Sequence, residues 1–273
     1  MILSIYKTAN KKEHLFMTVY QQILIACPLV FLASFVDAVA GGGGLISLPA
    51  YYLTGMTPHI AIGSNKFSSC IGTMFSAGRF LKDGSFNMRV ALISAGCALV
   101  GSYAGARLTL VLDDHLLRVA MLILLPLAAA VILFSRKKGN PDISTFSAVP
   151  ARRAVILSAA IGLSLGMYDG FFGPGTGTFL IIAFTAFLGF DYKTACGNTK
   201  VVNLASNVAA LVTFVVAGKI QYDVAIPAAV CSVAGHWIGS GLAIKKGARF
   251  IRPVMIFVLV LLFSKVAWDM LVR

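Results

Sequence analysis

The chain has 273 residues, of which 58% are hydrophobic and only 12% charged, and its mean hydropathy is +0.87. Soluble domains run nearer about 45–50% apolar and about 25% charged, so this composition excludes a water-soluble fold and leaves no room for a separate soluble domain. The net charge of +13 does not point to nucleic acid, because the lysines and arginines stand at the ends of apolar stretches, where the positive-inside bias of membrane proteins puts them.

Residues 1–18 form a polar start with Lys7, Lys11 and Lys12. With the apolar run behind it this resembles a signal peptide. That run leads directly into a motif that recurs later, so it is expected to be retained. Apolar segments then follow at about 19–38, 44–55, 60–80, 90–110 and 117–135. A basic linker, 136–153, carries Arg136, Lys137, Lys138, Arg152 and Arg153, and five more segments follow at about 154–170, 176–189, 194–217, 224–244 and 253–270. Crossing about 30 Å of hydrocarbon takes roughly 20 apolar residues. The second and seventh segments are short for that, so four spans plus a re-entrant or broken helix is the alternative count for each half. The predicted class is an all-α polytopic membrane protein. Its first transmembrane repeat is 19–135 and its second is 154–273.

The repeat is legible as a self-match. Gly55 to Lys66 lies over Gly189 to Lys200 at an offset of 134, and Gly84, Gly101, Gly105 and Arg118 match Gly218, Gly235, Gly239 and Arg252 at the same offset. Asp37 before Gly41, Gly42, Gly43 and Gly44 matches Asp169 before Gly173, Gly175, Thr176 and Gly177 at an offset of 132. Loop charge changes sign between the halves. Arg79, Lys82 and Arg89 face only Lys219 in the partner loop, whereas Asp113 and Asp114 face Lys245, Lys246 and Arg249. An odd number of crossings per half would put equivalent loops on opposite sides, so inverted repeats are favoured, with the linker cytoplasmic and both termini outside. The basic amino terminus counts against that orientation.

Two glycine runs at equivalent places should interrupt their helices, since glycine costs about 1 kcal/mol and proline about 3 inside a helix. Unwound backbone is tolerated at membrane depth only inside protein or around a cavity. Paired interrupted segments are the best sequence pointer to a transporter's binding site, and a restarting helix offers free N–H groups to an anion. Close helix packing through small residues is the plainer reading. An ionisable group inside a membrane segment is functional by default, which makes Asp37 and Asp169 candidates for capping the next half-helix or for proton coupling. Lys66 and Lys200 are matched cations that either attract an anionic substrate or snorkel to the interface. Asn65, Thr199, Asn203 and Asn207 stand near them at helical spacing, to line the same cavity or to bond between helices. His59 aligns with Lys193, and His236 is a lone histidine; neither has a metal-ligand neighbour, so packing is expected for both. The five cysteines, Cys27, Cys70, Cys97, Cys196 and Cys231, lie in apolar stretches without Cys-x-x-Cys spacing and read as small hydrophobes. No catalytic residue, metal or cofactor is expected.

The stretches Asp-Ala-Val-Ala-Gly-Gly-Gly-Gly-Leu-Ile-Ser-Leu-Pro (37–49), Gly-Ser-Asn-Lys (63–66) and Tyr-Asp-Gly-Phe-Phe-Gly-Pro-Gly-Thr-Gly-Thr-Phe (168–179) resemble the TauE/SafE sulfite exporter family, also called the toluene-sulfonate uptake permeases. The resemblance runs from about residue 20 over nearly the whole chain. It implies a non-enzymatic, multi-pass carrier of the bacterial inner membrane for sulfite, sulfonates or related small sulfur oxyanions, working without ATP. The partners expected are the bilayer and a small anion, with no nucleic acid; a homo-oligomer is left open. An intramembrane aspartyl protease would use two aspartates as well, but the expected Gly-x-Gly-Asp partner is absent. A passive anion channel has the same architecture, and a substrate-free scaffold would have no use for two repeated Asp–Gly breaks.

Overall fold

A computed structural model describes residues 17–120 except 118, residue 123, residues 143–247, and residues 249–254 except 252. The polar start before 17, most of the predicted segments 117–135 and 253–270, and the first part of the linker lie outside the described residues. Within them the chain is helical and without strands: α1 (Val19–Ala40), α2 (Gly44–Leu53), α3 (Pro58–Asp83), α4 (Met88–Val111), α5 (Ala151–Phe171), α6 (Thr176–Leu188), α7 (Tyr192–Val216) and α8 (Tyr222–Lys246). Five of these, α1, α4, α5, α7 and α8, are long and apolar enough to cross a membrane. The protein is an all-α polytopic membrane protein.

The helix starts are written locally. Thr18 and Gln21 form a reciprocal capping box on α1, the Asn87 side chain accepts from Val90 N–H at 3.1 Å, and that of Asp191 accepts from Thr194 N–H at 2.9 Å. Each such cap satisfies an amide that the helix itself leaves orphaned. The caps also explain why α4 and α7 begin two residues before their apolar segments do; α3 starts equally early on Pro58 at its first position.

The short second and seventh segments turn back on their predecessors. At about 1.5 Å per residue, α2 (10 residues) and α6 (13 residues) span about half a bilayer. The last turn of α2 returns to the start of α1, where Gln22 Nε2 donates to Thr54 O at 2.9 Å. Likewise α6 returns to the start of α5, where Thr145 N–H donates to Gly189 O at 2.7 Å. Each half therefore opens with a helical hairpin whose tip is a glycine run.

Contacts between helices also fix their directions. Ser34 meets Ser232, and Phe31 and Phe35 meet Gly235 and Gly239, so α1 and α8 run parallel. Ser64 bonds Gln221 N–H and Arg79 abuts Gly241, so α3 runs with them. In the second group, α4 runs parallel to α5 (Ser94 on Gly162, Ser102 on Gly170) and to α7 (Asn87 on Asn198, Ser102 on Ser206). The two groups run opposite ways: Gly63 in α3 meets Phe214 and Lys219 at the far end of α7, while Asp83 pairs with Lys193 at its start, 2.7 Å away. One face of the bundle consequently collects Lys82, Arg89, Arg152, Arg153, Lys193, Lys245 and Lys246. The other holds Lys219, Asp223, and the pair His59–Asp114 at 2.8 Å.

Packing between helices relies on missing side chains, as it must where lipid is as apolar as leucine. A Cβ on Gly162, Gly166 or Gly170 would overlap the α4 backbone at Ser94, Ala98 or Ser102. Gly162→Val is therefore expected to cost about 1–3 kcal/mol through overpacking. A detergent melting temperature equal to that of the wild type would contradict this contact.

Candidate functional site

The two glycine breaks meet each other. α1 ends on Gly41 in the left-handed conformation (φ 75°), and a Cβ there would overlap the backbone of Gly177. Across the contact, Thr178 N–H donates to Gly41 O at 3.1 Å and its hydroxyl to Ala40 O at 2.8 Å. The second break turns through Gly173 and Gly175, both left-handed, and is clipped by Tyr168 Oη donating to Pro174 O and Thr176 Oγ1 to Gly173 O, each 2.8 Å. Only glycine accepts such φ values freely, which is why the two runs are glycine-rich at just these points.

Beneath the breaks lie two buried ion pairs. Lys200 Nζ is 3.0 Å from Asp37 Oδ2 and also donates to the Asp37 carbonyl; Lys66 Nζ is 2.9 Å from Asp169 Oδ2. Each pair joins a lysine of one half to the aspartate of the other. Neither lysine snorkels to the interface. Both are side chains buried in protein, where an uncompensated charge is too costly, so each is held by a carboxylate. The aspartates differ in their further partners. Asp37 accepts from Gly43 N–H at 3.4 Å, a capping contact on the restarting helix, and faces His236 Nε2 at 3.8 Å. Asp169 instead accepts from the Ser206 hydroxyl.

Between the pairs is a small cavity of about 30 Å³. Asp37, Gly41, Gly43, Gly44, Asn65 and Lys66 line it from the first half. Asp169, Gly173, Gly177, Asn203 and Asn207 line it from the second, the two asparagines bonded to each other at 3.3 Å. The remaining sequence candidates sit one layer out. Gly42 lies in the turn with its carbonyl accepting from Leu45 N–H, Gly175 and Thr176 shape the second break, and Lys200 reaches in only through Asp37. Thr199 is fully buried with no partner for its hydroxyl.

Ser69, a looser first-half counterpart of the residues after Lys200, lines the cavity as its place in the sequence suggests, whereas Ser34, Ser47 and, above all, His236 line it without having been singled out by the sequence. The histidine lines the cavity beside Asp37 and is 1% exposed. The signal was present in the repeat: His236 aligns with Ser102, so a polar side chain stands at the same place in both halves. Two cavity-lining atoms, Asn65 Oδ1 and His236 Nδ1, are buried without a hydrogen-bond partner. Among the described residues no group of three or more His, Cys, Asp or Glu is placed to hold a metal ion.

Residues 26–266 match the family described as sulfite exporter TauE/SafE. The chain belongs to that family. TauE/SafE relatives at full length include a "probable membrane transporter protein" of Haemophilus influenzae, 32% identical over 243 residues, 88% of this chain and 92% of that one. The "probable membrane transporter protein YfcA" of Escherichia coli is 31% identical with 88% of each chain covered, and "YdhB" of Bacillus subtilis is 26% identical over 88% of this chain and 98% of its own. No solved structure matches. This TauE/SafE chain is thus a multi-pass membrane protein of a transporter family, and both glycine breaks, both lysines and both aspartates fall within the matched span.

Proposed function

We propose that this protein is a secondary carrier that moves a small sulfur-containing oxyanion, such as sulfite or an organosulfonate, across the inner membrane by alternating access. The observation that carries the reading is the polar cavity between two touching helix breaks, bounded by two ion pairs that each bridge the halves. A site built at such an interface changes accessibility when one half rocks against the other. The opposite directions of α1, α3 and α8 and of α4, α5 and α7 are what two halves of opposite orientation produce. Positive-inside bias puts the face with Lys82, Arg152 and Lys246 in the cytoplasm.

The anion would be held by N–H groups of the breaks, by Asn65, Asn203 and Asn207, and by Lys66 and Lys200 when they turn from their carboxylates. The small size of the cavity suits an anion of a few atoms. A proton taken up beside one of the aspartates would loosen its hold on the lysine and free that lysine for the substrate. The test is flux into proteoliposomes for sulfite, sulfonates, thiosulfate, sulfate and chloride. Saturable uptake with counterflow for one sulfur oxyanion, lost in Lys66→Ala and Lys200→Ala proteins that still fold, is the expected result. Linear, non-saturating anion flux would make it a channel, and unchanged flux in both variants would remove the site.

A further inference from the structure

The two ion pairs look equivalent in the repeat, but their surroundings are not, and the difference is a matter of proton chemistry. At the offset of 134, Ser206 aligns with Gly72 and Ser102 with His236. In the second half the Ser206 hydroxyl donates to Asp169, and Ser102 donates to the Ser206 carbonyl at 2.6 Å. In the first half Gly72 supplies no hydroxyl, and no hydroxyl is bonded to Asp37 as Ser206 is to Asp169. A Cβ on Gly72 would overlap Ser232 Oγ and the His236 ring. The imidazole and the Ser232 hydroxyl, itself bonded to Ser34, share that volume, and the ring brings Nε2 to 3.8 Å from Asp37. Its Nδ1 is buried without a partner, on a residue that lines the cavity. Asp37 keeps 14% side-chain exposure against 4% for Asp169, so the pair with the histidine is also the more open one.

We propose that His236 is the proton-carrying group of this carrier, and that one proton crosses together with each monovalent anion through the Asp37–Lys200–His236 cluster. The Asp169–Lys66 pair, fastened by Ser206, stays ionised throughout. This rests on the transport reading above and adds its coupling. The charges around the cavity that the histidine lines are Asp37 from α1, Lys66 from α3, Lys200 from α7 behind Asp37 and, across it, Asp169 from α5; Arg79 of α3 lies further along α8, against Gly241. Arg79 is engaged elsewhere, stacked 4.5 Å over the Trp237 ring. The other four cancel in two pairs, so the cavity is neutral while the imidazole is neutral. An anion entering alone would leave a buried charge without compensation. A proton added at Nδ1 supplies that compensation: the imidazolium shares Asp37, and Lys200 turns toward the anion. On the far side the anion leaves, Nδ1 releases its proton to water, and the Asp37–Lys200 pair closes again. Histidine is the side chain whose charge changes near neutral pH, and serine in the other half has no such property.

The experiment uses the full-length protein in liposomes containing a pH-sensitive dye, with methanesulfonate and benzenesulfonate as probes, both monoanions at every pH used. Wild-type uptake is expected to acidify the lumen and to slow as the external pH rises. His236→Gln is expected to lose uptake without a membrane potential. Under an imposed inside-positive potential it regains uptake, now without acidification. The triple variant Gly72→Ser/Ser232→Ala/His236→Ser copies the second half's Ser206, Ala98 and Ser102 and so removes both atoms that a side chain at 72 would meet; it should behave the same way and guards against a misfolded single variant. Persistent acidification in either variant, or no recovery of uptake under potential in both, overturns the proposal while leaving wild-type transport intact. No uptake of either probe by the wild type removes the sulfonate reading and the proposal with it.

Discussion

Lys200→Met is expected to destabilise the protein by about 3–5 kcal/mol, because it leaves the Asp37 carboxylate buried without its cation. The lysine is 0% exposed in its side chain and holds both the carboxylate and the carbonyl of Asp37. Removing both charges should be milder than removing one. Asp37→Asn/Lys200→Met is expected to recover most of the lost stability, since an apolar or neutral substitute for a whole buried pair is often nearly neutral. Transport should stay absent in the single and the double variant alike, as the cavity loses its exchangeable cation. Unfolding free energies in lipid nanodiscs measure this. If the double variant loses the sum of the two single losses, the groups are not coupled and the crossed-pair description is wrong.

The second large effect concerns the contact between the breaks. Gly41→Ala combines a left-handed residue, worth about 1–3 kcal/mol of strain, with a direct overlap of the new methyl and the Gly177 backbone. Gly177→Ala produces the reciprocal overlap with Gly41 without the unfavourable φ. Both should separate the two hairpin tips, break the Thr178–Gly41 hydrogen bond and abolish saturable flux, with Gly41→Ala the less stable of the two. Gly78→Ala is the internal comparison. That glycine lies in α3 with open space around its would-be Cβ, so alanine should be neutral or stabilising by up to about 1 kcal/mol. Equal melting temperatures for all three would show that the breaks are not in backbone contact.

The helices and the breaks were legible because each depends on local chemistry. Apolar length marked 90–110 and 224–244, and the helices Met88–Val111 and Tyr222–Lys246 overrun them by about one capping turn. Glycine runs marked the interruptions, and the duplication turned Asp37, Asp169, Lys66 and Lys200 from isolated polar residues into matched pairs of positions. Which aspartate meets which lysine was not legible. That depends on how the two halves face each other, and Asp37 to Lys200 is a contact across 163 residues of chain. His236 was hidden for a similar reason. A lone histidine on a small-residue helix looks like packing until α8 is seen between α1 and α3, with Gly72 opposite making the room. The hairpin form of the second and seventh segments stood as an alternative, because length alone does not say whether a short apolar segment crosses or returns.

The crossed ion pairs have a consequence for how the protein is made. Asp37 and Lys66 leave the ribosome with the first half, and in the finished protein the opposite charge of each belongs to the second. Until Asp169 and Lys200 have been synthesised and inserted, the early helices must hold an acid and a base in the bilayer with temporary partners, whether water, lipid headgroups or the insertion machinery. Ribosome release before Lys200 would strand an intermediate whose Asp37 lacks the cation it has in the finished protein. Two half-chains made separately would be drawn together by the same unmatched charges, the condition under which two copies of a single ancestral half would have first assembled.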